Sequence, residues 1–187
     1  HQRYDVIDPL ATQVLTLASD IAKLSDHPDR IVHGDPKISN IIFDPETDAA
    51  ICLIDLDTLG RMPIALELGD AFRSWCNPKP EDEQGAEFSL PLFEAAIAGY
   101  ARETSDFLTE TEWRAIASAT YTITVELAAR FCADALNESY FGWDDARFAS
   151  ASEHNEARTR GQIDLARSIA SCHAELDRIV AQAFDPG

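Results

Sequence analysis

Val32-His33-Gly34-Asp35-Pro36-Lys37-Ile38-Ser39-Asn40, followed by Ile54-Asp55-Leu56-Asp57-Thr58, is the stretch that decides how this chain is read. Between its two halves, the β-branched runs Ile41-Ile42-Phe43 and Ile51 to Ile54 flank the turn-rich Asp44-Pro45-Glu46-Thr47-Asp48, which predicts a β-hairpin. A hairpin centred between Glu46 and Asp48 pairs residues whose numbers sum to about 95. That register sets Asn40 opposite Asp55 at the open end, with Asp35 one loop away. Three oxygen donors converging there suit a hard divalent cation such as magnesium.

The same residues fit one kind of chemistry. Phosphoryl transfer from a nucleotide needs a metal to bridge phosphates, an Asp to orient and deprotonate the accepting hydroxyl, and a cation near the γ-phosphate. In H-x-D-x-K-x-x-N, Asp35 is the expected base, Lys37 the γ-phosphate contact, and Asn40 and Asp55 the magnesium ligands. His33 reads as a brace for the loop backbone.

Outward from this segment, composition narrows the classes. The chain has 187 residues, one domain's worth, and is 45% hydrophobic and 26% charged, so it can bury a core. Fifteen Lys and Arg against 33 Asp and Glu leave a charge of −18, the wrong sign for binding nucleic acid or an anionic membrane surface. No apolar run approaches a spanning length. Cys52, Cys76, Cys132 and Cys172 show no C-x-x-C spacing and sit among apolar neighbours, so buried, reduced thiols in a cytoplasmic protein are expected. Residue 1 is His and no signal-peptide pattern follows, so the chain is expected to be part of a longer product.

The rest of the chain reads as helix. Asp8-Pro9 predicts a helix start, with Leu10, Val14, Leu17, Ile21 and Leu24 as its buried stripe and a loop over 25–30. A short helix is expected over 69–76, with Asp70 as its cap, then a Pro-rich acidic loop over 77–87 and a helix over 88–104. Thr109-x-x-Glu112 is a capping box, behind which Trp113, Ile116, Thr120, Ile123, Leu127 and Phe131 share a face. Residues 139–150 are aromatic and irregular. A last helix over 153–183 carries Leu165, Ile169, Cys172, Leu176, Ile179 and Ala183. The predicted class is α+β, predominantly helical, with the hairpin carrying the metal site.

HGDPKISN and CLIDLD resemble the catalytic and metal-binding loops of the aminoglycoside phosphotransferase and choline kinase superfamily, which has a protein-kinase-like fold. Within it, IDLDT at 54–58, GDAFR at 69–73, ELAARF at 126–131, Tyr140-Phe141 and His154-Asn155 are most similar to the N-acetylhexosamine 1-kinase (mucin desulfatase-like) branch. The resemblance spans about residues 20 to 170. It implies ATP- and magnesium-dependent phosphorylation of a small hydroxylated acceptor, an N-acetylated hexosamine before others, with an aminoglycoside- or choline-type acceptor or a non-catalytic pseudokinase-like module as alternatives. By the same resemblance Asp35 is the base, Asn40 and Asp55 hold metal, Asp57 and Thr58 complete the IDLDT signature beside the substrate, and Arg130 and Tyr140 face the sugar. Arg130 could equally pair with Glu126 one helical turn away.

Two departures matter. Pro36 stands where the branch commonly has Thr, and Glu67 where it has Asp. The chain also lacks G-x-G-x-x-G or a P-loop among its eight glycines, so residues 1–187 are expected to form a single C-terminal catalytic and acceptor-binding lobe, whose N-terminal nucleotide-binding lobe is missing, and to be nearly inactive alone. A haloacid dehalogenase-like reading of Asp55-x-Asp57 fails at position 59, where Leu replaces the required Thr, and on the helical sequence downstream.

Overall fold

A computed structural model describes residues 1–23 and 27–185. In chain order the elements are α1 (Tyr4–Ala18), β1 (Asp29–Val32), β2 (Ile41–Phe43), β3 (Ala50–Leu53), β4 (Gly60–Pro63), α2 (Ile64–Trp75), α3 (Leu90–Thr104), α4 (Glu110–Arg114), α5 (Ile116–Asn137) and α6 (Ala151–Phe184). Single 3-10 turns at Ile38–Asn40 and Leu56–Thr58 flank the hairpin. The class is α+β and mostly helical, as the patterning predicts. No helix among the described residues is long and apolar enough to cross a membrane. The chain forms two compact units: His1–Ala22, Asn77–Phe88 and Tyr121–Cys172 make one, and Lys23–Cys76, Ser89–Thr120 and His173–Gly187 make the other.

The second unit holds both small sheets. β1 runs antiparallel to β4, from Asp29 opposite Pro63 to Val32 opposite Gly60, and β2 runs antiparallel to β3. Its core gathers on α2 and α3, where the fully buried rings of Phe72 and Phe93 meet edge to face at 5.1 Å. Each such burial is worth about 1.5–3 kcal/mol. Gly69 is required by close approach: a Cβ there would come within 2.7 Å of the Ala119 backbone. The capping box forms as predicted, Glu112 N–H donating to Thr109 Oγ1 and Glu112 Oε2 accepting from Thr109 N–H. Glu112 also takes a two-pronged bond from Arg30 on β1, Nε at 2.5 Å and Nη2 at 2.7 Å. The Arg30 guanidinium, joined by the Thr109 donors, outweighs burial and draws the carboxyl down to about 2.

The first unit is helical. Ile7, Leu10 and Val14 of α1 are buried, and the Tyr121 hydroxyl donates to the Leu17 carbonyl at the end of that helix. Val125, Ala128, Phe131 and Ala135 of α5 and Ile163, Leu165 and Ile169 of α6 complete this core.

Several expectations need correction. α1 starts a turn before Asp8, with Pro9 inside the helix. The N–H that Pro9 lacks would have served the Asp5 carbonyl, and both residues are exposed, so water can take its place. The helix ends at Ala18, leaving Ile21 beyond it, while Leu24 and positions 25 and 26 of the predicted loop lie outside the described residues. α2 begins at Ile64 rather than 69, because β4 delivers the chain directly into it, so Asp70 is no cap; its Oδ1 instead accepts from Arg73 at 2.7 Å. β1 and β4 carry no strand signal of their own: DRIV and GRMP lack alternation and become strands only through each other. Of the four cysteines, all free, Cys76 and Cys132 are buried, with burial pushing the Cys76 thiol up to about 12. Cys172 is half-buried, and Cys52 is exposed, because β3 is exposed along its whole length.

Candidate active site

The loop from His33 to Asn40 carries little regular structure, yet its backbone is engaged from four directions. Glu67, buried on α2, reaches up with both oxygens: Oε1 accepts from His33 N–H and Oε2 from Gly34 N–H, each at 2.9 Å. From the other side the Thr58 hydroxyl donates to the His33 carbonyl at 2.9 Å. The buried His33 ring has its Nε2 2.9 Å from the carbonyl of Ile54, while its Nδ1 accepts from Asp35 N–H, an arrangement that calls for the proton on Nε2. Trp75 Nε1 donates to the Pro36 carbonyl at 2.7 Å. Gly34 makes the arrangement possible, with φ of 85° and a would-be Cβ only 2.4 Å from Thr58 O.

Inside that frame Asp35, Lys37 and Asn40 meet. Asp35 Oδ2 accepts from Lys37 Nζ at 2.5 Å and from Asn40 Nδ2 at 3.1 Å, and the same Nδ2 donates to the Asp35 carbonyl at 2.9 Å. Asn40 is buried, and with its amide nitrogen committed to Asp35, Oδ1 is the atom left to ligate. The hairpin register differs from the expected one by a residue. The turn closes from Asp44 N–H to the Ala49 carbonyl, a bulge between Ile42 and Phe43 shifts the pairing, and Ile54 N–H donates to the Asn40 carbonyl. Asn40 therefore stands opposite Ile54. Asp55 is the next residue, exposed and in the left-handed region (φ 65°, ψ 57°), leading into the Leu56–Thr58 turn. An Asp held there without a glycine's freedom is a modest strain. Asp57 is exposed in the same turn, and Thr58 spends its hydroxyl on the loop.

The two metal ligands expected from the sequence, Asn40 and Asp55, are of the oxygen-donor type that suits magnesium. Among the described residues no three His, Cys, Asp or Glu side chains gather into a metal cage. One amide oxygen and one exposed carboxylate are hard donors, and magnesium is ordinarily held by one or two such groups, with water and phosphate oxygens completing its octahedron.

Arg130 and Tyr140 belong to the first unit, where they meet each other. Arg130 Nη2 donates to the Tyr140 hydroxyl at 2.9 Å, and its guanidinium lies over the rings of Tyr140 (5.1 Å) and Phe141 (5.3 Å). The anticipated pairing with Glu126 is also present, at 3.7 Å. With Ala133, Asp134, Asn137, Ser139 and Phe141 they line a depression of about 280 Å³. Nearby, burial and Arg158 hold the His154 imidazole below its ordinary value; Nδ1 accepts from Asp144 N–H and Nε2 faces Asp82 Oδ2 at 3.2 Å.

The sequence marks Glu67 as a departure that bears on the support of this loop and leaves open whether it supplies that support. Its carboxylate matters through contacts 33 and 34 positions away, and the only signal was its place two residues before Gly69.

A mostly helical α+β chain in which Asp35, Lys37 and Asn40 meet in one braced loop beside a hairpin is compatible with a kinase-like phosphotransferase fold. The family model described as "Phosphotransferase enzyme family" (APH) matches residues 2–118, and the chain belongs to that family of kinase-type enzymes. Rat (Rattus norvegicus) acyl-CoA dehydrogenase family member 11 is 31% identical to it over 108 residues, which cover 54% of this chain and 13% of that protein.

Proposed function

We propose that this chain is the catalytic and acceptor-binding lobe of an ATP- and magnesium-dependent small-molecule kinase that phosphorylates a hydroxyl, with an N-acetylhexosamine as acceptor. The observation that carries the reading is the convergence of Lys37 Nζ and Asn40 Nδ2 on one oxygen of Asp35. These bonds fix the carboxylate's rotamer, so its other oxygen, Oδ1, can receive the acceptor's proton as the acceptor oxygen bonds to the γ-phosphorus and the bond from that phosphorus to the bridging oxygen breaks, releasing ADP. Lys37 is half-exposed and a flexible ammonium, able to reach a phosphate oxygen when nucleotide arrives while the Asn40 amide keeps the Asp35 carboxylate oriented. Asn40 Oδ1 and the Asp55 carboxylate would hold magnesium. When bound, the ion supplies charge neutralisation at the β- and γ-phosphates. Arg130 and Tyr140 would receive the sugar, the ring by stacking and its hydroxyls by hydrogen bonding. Asp57 would lie toward the acceptor, and Thr58 acts through the loop it holds.

A nucleotide-binding lobe is part of the proposal. Nine apolar side chains between Ile31 and Leu59 are 40–73% exposed, Ile31 and Ile51 most of all, far more than a finished surface ordinarily leaves open over so short a span. We assign that surface to the adenine and to the partner lobe.

The test is phosphate transfer from ATP by the full-length protein to a panel of N-acetylhexosamines, choline and aminoglycosides, wild type beside Asp35→Asn. Transfer to N-acetylglucosamine or N-acetylgalactosamine that vanishes in the variant supports the proposal. Equal transfer by both forms removes Asp35 as the base. Transfer to choline or aminoglycosides alone replaces the acceptor, and no transfer with nucleotide still bound leaves a pseudokinase-like module.

A further inference from the structure

Glu138 ends α5 in the left-handed conformation (φ 49°), and the chain then runs through Ser139, Tyr140 and Phe141 without secondary structure. Such a segment would ordinarily sample many conformations, because its amides have no ladder to join. Here one side chain replaces the ladder. Asp134, buried a turn back on α5, accepts from Ser139 N–H and Tyr140 N–H through Oδ1, each at 3.0 Å, and from Phe141 N–H through Oδ2 at 2.9 Å. Asn155 Nδ2, fully buried on α6, gives Oδ2 a fourth donor at 3.0 Å. A buried carboxylate is expensive to desolvate unless its lone pairs are filled, and these four donors fill them. Burial alone would raise the Asp134 carboxyl; the amides of Phe141, Ser139 and Tyr140, with Asn155, reverse that and hold it below the usual carboxylate range.

The outer side of this loop is different in kind. Tyr140 is 69% exposed, so no packing fixes it from outside. Its orientation comes from the backbone that Asp134 holds, from the edge-on contact with Phe141 at 4.8 Å and from the Arg130 donor. Phe141 in turn leans on Phe131 at 4.5 Å, its backbone N–H bound to the same carboxylate. A buried charge is thus committed to ordering an exposed aromatic and the arginine lying on it. We infer that Asp134, with Asn155 behind it, is the positioning residue of the acceptor wall, holding Ser139–Phe141 so that Tyr140 and Arg130 present a preformed face to the sugar. This rests on the proposed acceptor role of Arg130 and Tyr140, and preorganisation of that kind is read in binding rather than in the chemical step.

The experiment measures acceptor KM, ATP KM and kcat for N-acetylglucosamine phosphorylation by the full-length protein, as wild type, Asp134→Asn, Asn155→Leu, Arg130→Ala and Tyr140→Ala. In Asp134→Asn an amide replaces one carboxylate oxygen and meets donors where it should accept. The expected result is an acceptor KM raised about tenfold with kcat and ATP KM within about twofold of wild type, a rise equal to about 1.4 kcal/mol of lost acceptor binding. Asn155→Leu, which removes one donor of four, raises acceptor KM about two- to threefold and carries the test alone should Asp134→Asn not fold. An unchanged acceptor KM in the Asp134 and Asn155 variants overturns the inference, as does an equal loss in ATP KM and kcat, the mark of a merely structural residue. If Arg130→Ala and Tyr140→Ala leave acceptor KM unmoved, or N-acetylglucosamine is not phosphorylated at all, the acceptor reading itself fails, and the inference with it. Raised KM in those two with none in the Asp134 and Asn155 variants sinks the positioning role alone.

Discussion

The His33–Asn40 loop and the Ser139–Phe141 loop solve the same problem by opposite means. Both are irregular segments in which backbone groups need partners and a functional side chain must stay still. The first is held by several unrelated side chains: Glu67 from α2, Thr58 from the turn after β3, Trp75 from the end of α2, and its own His33 against Ile54. The second hangs on the single carboxylate of Asp134. Distributed bracing makes a site tolerant of losing one contact, whereas a single organising charge makes a loop depend on one group. Under the proposed function the difference suits the two tasks: a base must be aligned to a fraction of an ångström through every turnover, while an acceptor wall can give slightly as its ligand enters.

The comparison can be broken most severely at Asp35. Asp35→Asn keeps the side chain's shape but removes the proton acceptor, so kcat should fall by about 10²–10⁴-fold with the melting temperature nearly unchanged. A large loss of stability would mean that the carboxylate is itself one of the braces. Next comes Gly34→Ala, which places a Cβ 2.4 Å from Thr58 O at a positive φ. About 1–3 kcal/mol of backbone strain is expected, read as a lower urea midpoint at unchanged slope. Because the clash pushes Thr58 and Gly34 apart, activity should fall with it.

Glu67→Gln tests redundancy directly. One of the two bonds to His33 N–H and Gly34 N–H is replaced by opposed N–H groups, at a cost of about 1–3 kcal/mol. If the remaining braces suffice, the variant folds and keeps measurable transfer; complete collapse of activity at intact nucleotide affinity would show that the loop depends on one group after all.

Acid should weaken the carboxylate-held contacts in each unit. Glu112 is held down to about 2 from an ordinary 4.5, so its contribution is present in full above 4.5 and drains away as pH falls toward 2. Asp134, also lowered, loses its contribution in the same direction. Melting temperature followed from pH 6 downward should decline less steeply below about pH 4.5 in Glu112→Gln than in wild type, because the variant has no carboxylate left to protonate there. The smallest effect belongs to Thr58→Val, which deletes one half-exposed hydroxyl bond to His33 O and should cost about 1 kcal/mol by urea denaturation.

The candidate groups were legible because they are carried by residue type: Asp35, Lys37, Asn40 and Asp55, the groups of the proposed reaction, can be named from a line of letters, and the hairpin between them announces itself by β-branched runs about a turn. The capping box at Thr109 and the long stripe of α6 were legible for a related reason, each being a local pattern whose partners lie within a few residues. What escaped was whatever depends on distant partners. The strands β1 and β4 exist because each supplies the other's hydrogen bonds. The hairpin register shifted because a bulge and the Asp44–Ala49 closure, not the turn's midpoint, set the pairing.

Glu67 and Asp134 make the same point at the two loops. In the sequence Asp134 is one of 33 acidic residues, and Glu67 is marked only by its place two residues before Gly69. Only folding brings His33 and Gly34 over one, and Ser139, Tyr140, Phe141 and Asn155 around the other. A carboxylate's role is set by the donors it meets. Residue chemistry, local periodicity and capping were therefore determined by the chain itself, while the choice of which acids react, which brace and which stay in water was made by tertiary contacts.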